Sequence, residues 1–180
     1  MGWPRCSSAV FLINYLFMKL PNRTKLLISL ALPQLAGLIG SLFTASSIPT
    51  WYAALNRPSL SPPNWIFGPV WTTLFILMGI GFYLVWKKWA VLPWTKRQKR
   101  LALVLFGVQL VLNTLWSIIF FGLQSPGGAL IEIVFLWLAI AATIITFAKI
   151  SRPAAWLLMP YILWVSFATY LNAAIWYLNK

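Results

Sequence analysis

The sequence predicts an all-α membrane protein, a bundle of five transmembrane helices with the N-terminus in the cytoplasm. Three observations predict it. Residues of the AVILMFWYC set make up 61% of the 180-residue chain and charged residues only 8%, whereas a water-soluble domain carries about a quarter of its residues as charges. Five apolar stretches are each long enough to cross about 30 Å of hydrocarbon as a helix. The basic residues between them sort to one side.

In chain order the spans fall at roughly 26–46, 66–86, 101–123, 127–148 and 154–178. Together they form a membrane domain over 26–178 that follows an N-terminal extension, 1–25. Arg5, Lys19, Arg23 and Lys25 precede the first span. Lys87, Lys88, Lys96, Arg97, Lys99 and Arg100 lie between the second and third, and Lys149 and Arg152 between the fourth and fifth. Only Arg57 and Lys180 fall on the other side. Positive charge marks the cytoplasmic face, so the 47–65 loop and the C-terminus face outward. The net charge of +13 therefore reports topology and anionic headgroups, not a nucleic-acid partner. This pattern suits a bacterial inner membrane, with an organelle or outer membrane as the alternative.

The extension contains AVFLINYLF (9–17), which resembles a signal-peptide core without a clean cleavage site. It is too short to span. An interfacial segment is one reading. An over-extended start is another, because Met18 begins MKLPNRTK directly before the first span.

What the chain lacks excludes most enzyme chemistry. It has no His and one acidic residue, Glu132. A Ser-His-Asp triad and a paired-carboxylate site are both ruled out. Zinc, magnesium and calcium sites need ligands the chain does not have, so no metal site is expected. Cys6 is the single cysteine, which leaves no intramolecular disulfide or CxxC motif.

Polar residues within the spans mark inward faces, since buried polar groups in a bilayer must find partners. Gln109, Asn113, Trp116 and Ser117 form one stripe on span three. Tyr161, Trp164, Ala168 and Asn172 form another on span five. Glu132 shares a face with Leu136, Ala139, Thr143 and Thr146 on span four, and Gln34, Gly37 and Ser41 share one on span one. These stripes are either interhelical hydrogen bonding or the lining of a pocket for a flat, largely apolar ligand. Glu132 either bonds to a neighbouring helix or handles ligand or protons. Of the 12 tryptophans, Trp86, Trp89, Trp94 and Trp176 read as an interfacial belt, and Trp71, Trp116, Trp137 and Trp164 as interior. Ala36-xxx-Gly40 and Gly37-xxx-Ser41 permit close helix approach, as an internal seam or a dimer face. Pro33 and Pro160 are expected to kink spans one and five, and Pro69 to sit in the first turn of span two.

The segment WYAALNRPSLSPPNWIFGPVW (51–71) is dense in proline and reads as a preordered lid. Its pattern W-Y-x-x-L-x-(K/R)-P-x-x-x-P-P-x-x-x-F-x-P-V-W resembles the signature of the TspO/MBR family, the tryptophan-rich sensory proteins and mitochondrial translocator proteins. LNTLWSIIFFG (112–122), the acidic span four and P-Y-x-x-W-x-x-F-A-T-x-L-N in span five continue the resemblance through 26–178. What it implies is a five-helix bundle, often dimeric, that binds tetrapyrroles such as protoporphyrin IX and haem beneath the first loop. Family members also bind sterols or synthetic ligands, and some bacterial ones are associated with light-dependent porphyrin degradation. Carried over by motif, Trp71 and Trp164 match the indoles of the pocket and of that photochemistry. Ala168 and Leu171 match ligand-lining positions, Asn113 a pocket position, and Trp51, Tyr52, Pro62 and Pro63 the lid.

With Phe67, Trp116, Glu132 and Tyr161 these residues make up the expected ligand site. Arg57 joins them as the one lid-side cation near enough to pair with a propionate. No cofactor is required, and porphyrin is the expected ligand, with lipids or sterols as alternatives. Lacking His, the chain would have to ligate haem iron axially through a Tyr, a Met thioether or Cys6, so metal-free porphyrin suits it better. Three functions compete: a porphyrin-binding sensor or transport-associated protein, a photo-oxidative degrader that uses Trp71 and Trp164, and a lipid-interacting scaffold.

Overall fold

The computed structural model describes residues 20–89 and 95–180. The signal-like run 9–17, Met18, Cys6 and Trp94 lie outside them. Helix α1 spans Asn22–Ser47, α2 Asn64–Lys88, α3 Lys96–Ser117, α4 Pro126–Ile150, α5 Arg152–Leu157 and α6 Met159–Leu178. Single π-helical turns extend α1 over Ile48–Tyr52 and α3 over Ile118–Gly122. Counting these turns, and taking α5 with α6 as one, five helical segments are long and apolar enough to cross a membrane: Asn22–Tyr52, Asn64–Lys88, Arg97–Gly122, Pro126–Ile150 and Arg152–Leu178. The described residues contain no strand. The chain is an integral membrane protein built as a five-helix bundle.

The helices run past the boundaries that hydropathy sets. Helix α3 begins among charges because Thr95 and Gln98 form a capping box, each side chain taking the other's backbone N–H. That satisfies donors the helix end would otherwise leave open. Pro33 is buried inside α1, which continues through it. Pro69 lies in the second turn of α2, not the first. The break in the fifth span falls at Leu158, where α5 ends, and Pro160 occupies the first turn of α6, where a missing N–H costs nothing.

One half of the bundle is solid. Phe82 stacks on Phe106 at 4.2 Å and 7°, Phe147 lies beyond Phe106, and Phe82 also meets Trp86 and Trp89. Trp86 and Trp89 are 2% and 7% exposed, which corrects the expectation that they belong to an interfacial belt. Aromatic residues at a span end serve either purpose, and here the rings turn inward. Helices α1 and α2 meet where α2 has no side chain. A Cβ on Gly79 would lie 2.7 Å from the Ser29 carbonyl oxygen and 2.9 Å from Leu30 Cα. Gly37 abuts the Phe75 ring, Gly40 faces Ser117 Oγ, and Thr114 Oγ1 donates to the Ala36 carbonyl at 3.1 Å. The small residues of span one therefore line a seam within the chain.

Candidate ligand cavity

Toward the lid end the helices part around a cavity of about 870 Å³, within the size range of small-molecule sites. Both π turns face it. A π turn widens the helix by one residue and redirects the side chains that follow, and here it carries Tyr52, Phe120 and Phe121 into the wall. Ser47 Oγ donates to the Phe121 carbonyl at 2.9 Å and ties the two turns together. Phe120 and Phe121 pack edge to face at 4.8 Å, and Tyr52 lies against both.

Of the residues singled out from sequence, Tyr52, Phe67, Trp71, Asn113, Trp116, Trp164, Ala168 and Leu171 line this cavity. Phe67 stands edge-on to Trp164 at 5.8 Å, and Trp71 lies 5.5 Å from Phe75. The amides are anchored from behind. Asn113 Nδ2 donates to Tyr161 Oη at 3.1 Å, and Tyr161 stands edge-on to Trp71 at 6.2 Å. Trp116 Nε1 donates to Asn172 Oδ1 at 3.1 Å, while Asn172 Nδ2 donates to the Pro126 carbonyl at 2.7 Å. These bonds join α3, α4 and α6, so the same stripes serve as interhelical ties and as cavity wall. Tyr161 is fully buried behind the wall and does not line it.

The lid sits elsewhere than expected. Arg57, Pro62 and Pro63 line a separate, smaller recess with Asn56, Pro58 and Ser61, and Trp51 reaches the cavity only through its edge contact with Phe120 at 5.6 Å. Asn179 pulls the loop toward the end of α6. Its Oδ1 accepts from the Asn56 N–H and its Nδ2 donates to the Asn56 carbonyl, both at 2.9 Å. Arg57 bridges recess and cavity: its guanidinium lies 5.4 Å from the Tyr52 ring centre, and Nη1 donates to Asn64 Oδ1 at 3.1 Å. Both Tyr52 and Asn64 line the cavity.

Glu132 is buried, lies outside the cavity wall, and neither of its oxygens has a hydrogen-bond partner. On α1, Gln34, Gly37 and Ser41, expected on an inward face, line the cavity, and stripe reasoning missed their neighbours Leu35, Leu38 and Ala45, which line it although more than a third of each is exposed. Ser41, expected to point inward, is also exposed and lines the same edge. Among the described residues no cluster of His, Cys, Asp and Glu could hold a metal ion.

Comparison with known protein families matches residues 29–178 to the TspO/MBR family. The chain belongs to the TspO/MBR family. It is 47% identical to the tryptophan-rich protein TspO of Chlorobaculum tepidum over 79% of this chain and 88% of that protein. It is 43% identical to the tryptophan-rich protein TspO of Archaeoglobus fulgidus over 88% and 99%. It is also similar to the human translocator protein, with 42% identity over 80% of this chain and 83% of the relative. The TspO/MBR match covers every residue that lines the cavity.

Proposed function

We propose that this TspO/MBR membrane protein binds a tetrapyrrole, metal-free protoporphyrin IX in preference to haem, in the cavity at its lid end and acts as a sensor or transport-associated protein. The carrying observation is the wall. Indole and phenyl faces from Trp71, Phe75, Trp116, Phe120 and Trp164 surround about 870 Å³, with Asn113 and Asn172 as fixed polar points. A planar macrocycle gains most from aromatic faces and apolar burial, while its two carboxylates need a polar exit. The Arg57 guanidinium, held at the cavity rim by Tyr52 and Asn64, supplies the charge for one of them.

The placement of the basic residues supports a cytoplasmic N-terminus in a bacterial inner membrane. The lid and cavity then open toward the outer side. Sterols and lipids are the alternative occupants, and a homodimer is the alternative to a monomer.

The test is tryptophan-fluorescence titration of the purified protein with protoporphyrin IX, first in darkness and then in light. Saturable quenching with an unchanged Soret band is expected. Absence of saturation refutes the reading. A second reading rests on Trp71 and Trp164 lining one cavity: excited porphyrin gives up an electron by way of these indoles, dioxygen is the terminal acceptor and is reduced, and the oxidised macrocycle is degraded. In that case the Soret band bleaches faster than free porphyrin, and Trp71→Phe and Trp164→Phe bind but do not bleach.

A further inference from the structure

The cavity is not closed on all sides. Leu35, Leu38 and Ala45 on α1 line it and are exposed, and so are Gly68 and Thr72 on the facing part of α2. On α1 the spacings of three and seven residues, and on α2 the spacing of four, keep each set on one helix face. The two faces flank a slot that runs along the bundle, inside segments long and apolar enough to cross a membrane. Below the slot α1 and α2 close tightly, with Gly79 against the Ser29 backbone. The lower margin is tied by Gln34 Nε2, which donates to the Thr72 carbonyl at 3.3 Å.

The chemistry of the slot suits lipid. Its hydroxyls are spent on their own helices, Ser41 on the Leu38 carbonyl at 2.7 Å and Thr72 on the Gly68 carbonyl at 2.9 Å. Neither hydroxyl needs water. At Gly68 a Cβ would meet nothing within 4 Å, so the α2 side of the slot is open at its lid end. The water-facing approach is more constrained, since the loop is held to Asn179 at Asn56 and to Asn64 at Arg57.

We propose that the slot between α1 and α2 is a lateral doorway through which the cavity's tetrapyrrole enters and leaves by way of the membrane's hydrocarbon layer. This rests on the tetrapyrrole reading above and adds its route. The occupant follows from continuity: the slot opens into the aromatic cavity, and a flat apolar macrocycle partitions into lipid before it meets the protein.

The experiment uses the full-length protein in lipid vesicles with protoporphyrin IX, following association and release by tryptophan quenching. Lipid is varied at fixed total porphyrin. The association rate is expected to follow the mole fraction of porphyrin in lipid, and Gly68→Phe, which fills the slot, should slow both association and release at least fivefold. An association rate that follows aqueous porphyrin, with Gly68→Phe as fast as the natural protein, overturns the doorway and leaves the binding reading intact. A rate that rises when the protein is diluted in lipid shows a second copy sealing the slot, and also overturns it. No saturable quenching in any arm overturns the tetrapyrrole reading and the doorway together. Should Gly68→Phe fail to fold, the lipid dependence of the natural protein decides alone.

Discussion

Asn172→Leu isolates the polar knot that holds the cavity wall. Asn172 is 1% exposed and makes two interhelical bonds, accepting from Trp116 Nε1 and donating to the Pro126 carbonyl. Leu matches its size closely, so the change removes the bonds with little change in volume. Interhelical hydrogen bonds in membrane proteins average about 0.6 kcal/mol and reach about 1.7. Two of them, with an indole N–H left unpaired, set the loss at about 1–3 kcal/mol. For a chain of this length each kcal/mol moves the unfolding midpoint by about 2–4 °C, so Tm should fall by about 2–12 °C. Thermal unfolding in one detergent at one scan rate measures it. Trp116→Phe and the double variant complete a cycle, and the coupling energy should lie near 0.6–1.7 kcal/mol. An unchanged Tm for Asn172→Leu, or strict additivity in the cycle, would refute the assignment of these bonds as ties between α3, α4 and α6.

Three further outcomes follow from the geometry. Gly79→Ala puts a methyl 2.7 Å from the Ser29 carbonyl oxygen and should destabilise by about 1–3 kcal/mol, whereas Gly107→Ala, with open space around it, should be neutral or stabilise by up to about 1 kcal/mol. Equal thermal stability of the two variants would show slack in the α1–α2 seam. Asn179→Ala removes both bonds to the Asn56 backbone and should speed amide exchange at Asn56 by about 2- to 10-fold, and unchanged protection would mean that Asn179 does not hold the loop. Arg57→Gln should weaken protoporphyrin binding by about 2- to 5-fold at low salt, and an unchanged affinity removes Arg57 from the site.

Much of this fold was legible because bilayer chemistry leaves few choices. Five apolar stretches with polar stripes at helical spacing can satisfy their backbones only as a bundle. The stripes of Asn113, Trp116 and Ser117 and of Trp164, Ala168 and Asn172 did converge on one cavity, since a polar or small residue within a span has reason to face inward. Ser41 lines the cavity as well but stays exposed at its edge, which it tolerates because its hydroxyl is satisfied by its own helix at the Leu38 carbonyl. Trp86 and Trp89 were illegible because an indole near a span end suits the headgroup layer and the core equally. Glu132 has no place in the cavity because helix rotation, which depends on neighbours and not on period alone, turns it elsewhere. The Asn56–Asn179 contact joins residues 123 apart in sequence, and no local pattern announces such a pairing. Gly79 and Gly81, unlike the paired small residues of span one, carry no motif. Their role is visible only against Ser29, Leu30 and Leu158.

The most direct test fills the cavity and asks whether binding goes with it. Ala168 is 9% exposed, lies one turn beyond Trp164 and faces the open volume. Ala168→Phe should leave the protein extractable and folded, judged by its far-ultraviolet circular dichroism and detergent elution, while its protoporphyrin IX affinity falls at least tenfold in a dark fluorescence titration. Full affinity in a folded Ala168→Phe protein would place the ligand somewhere other than this cavity.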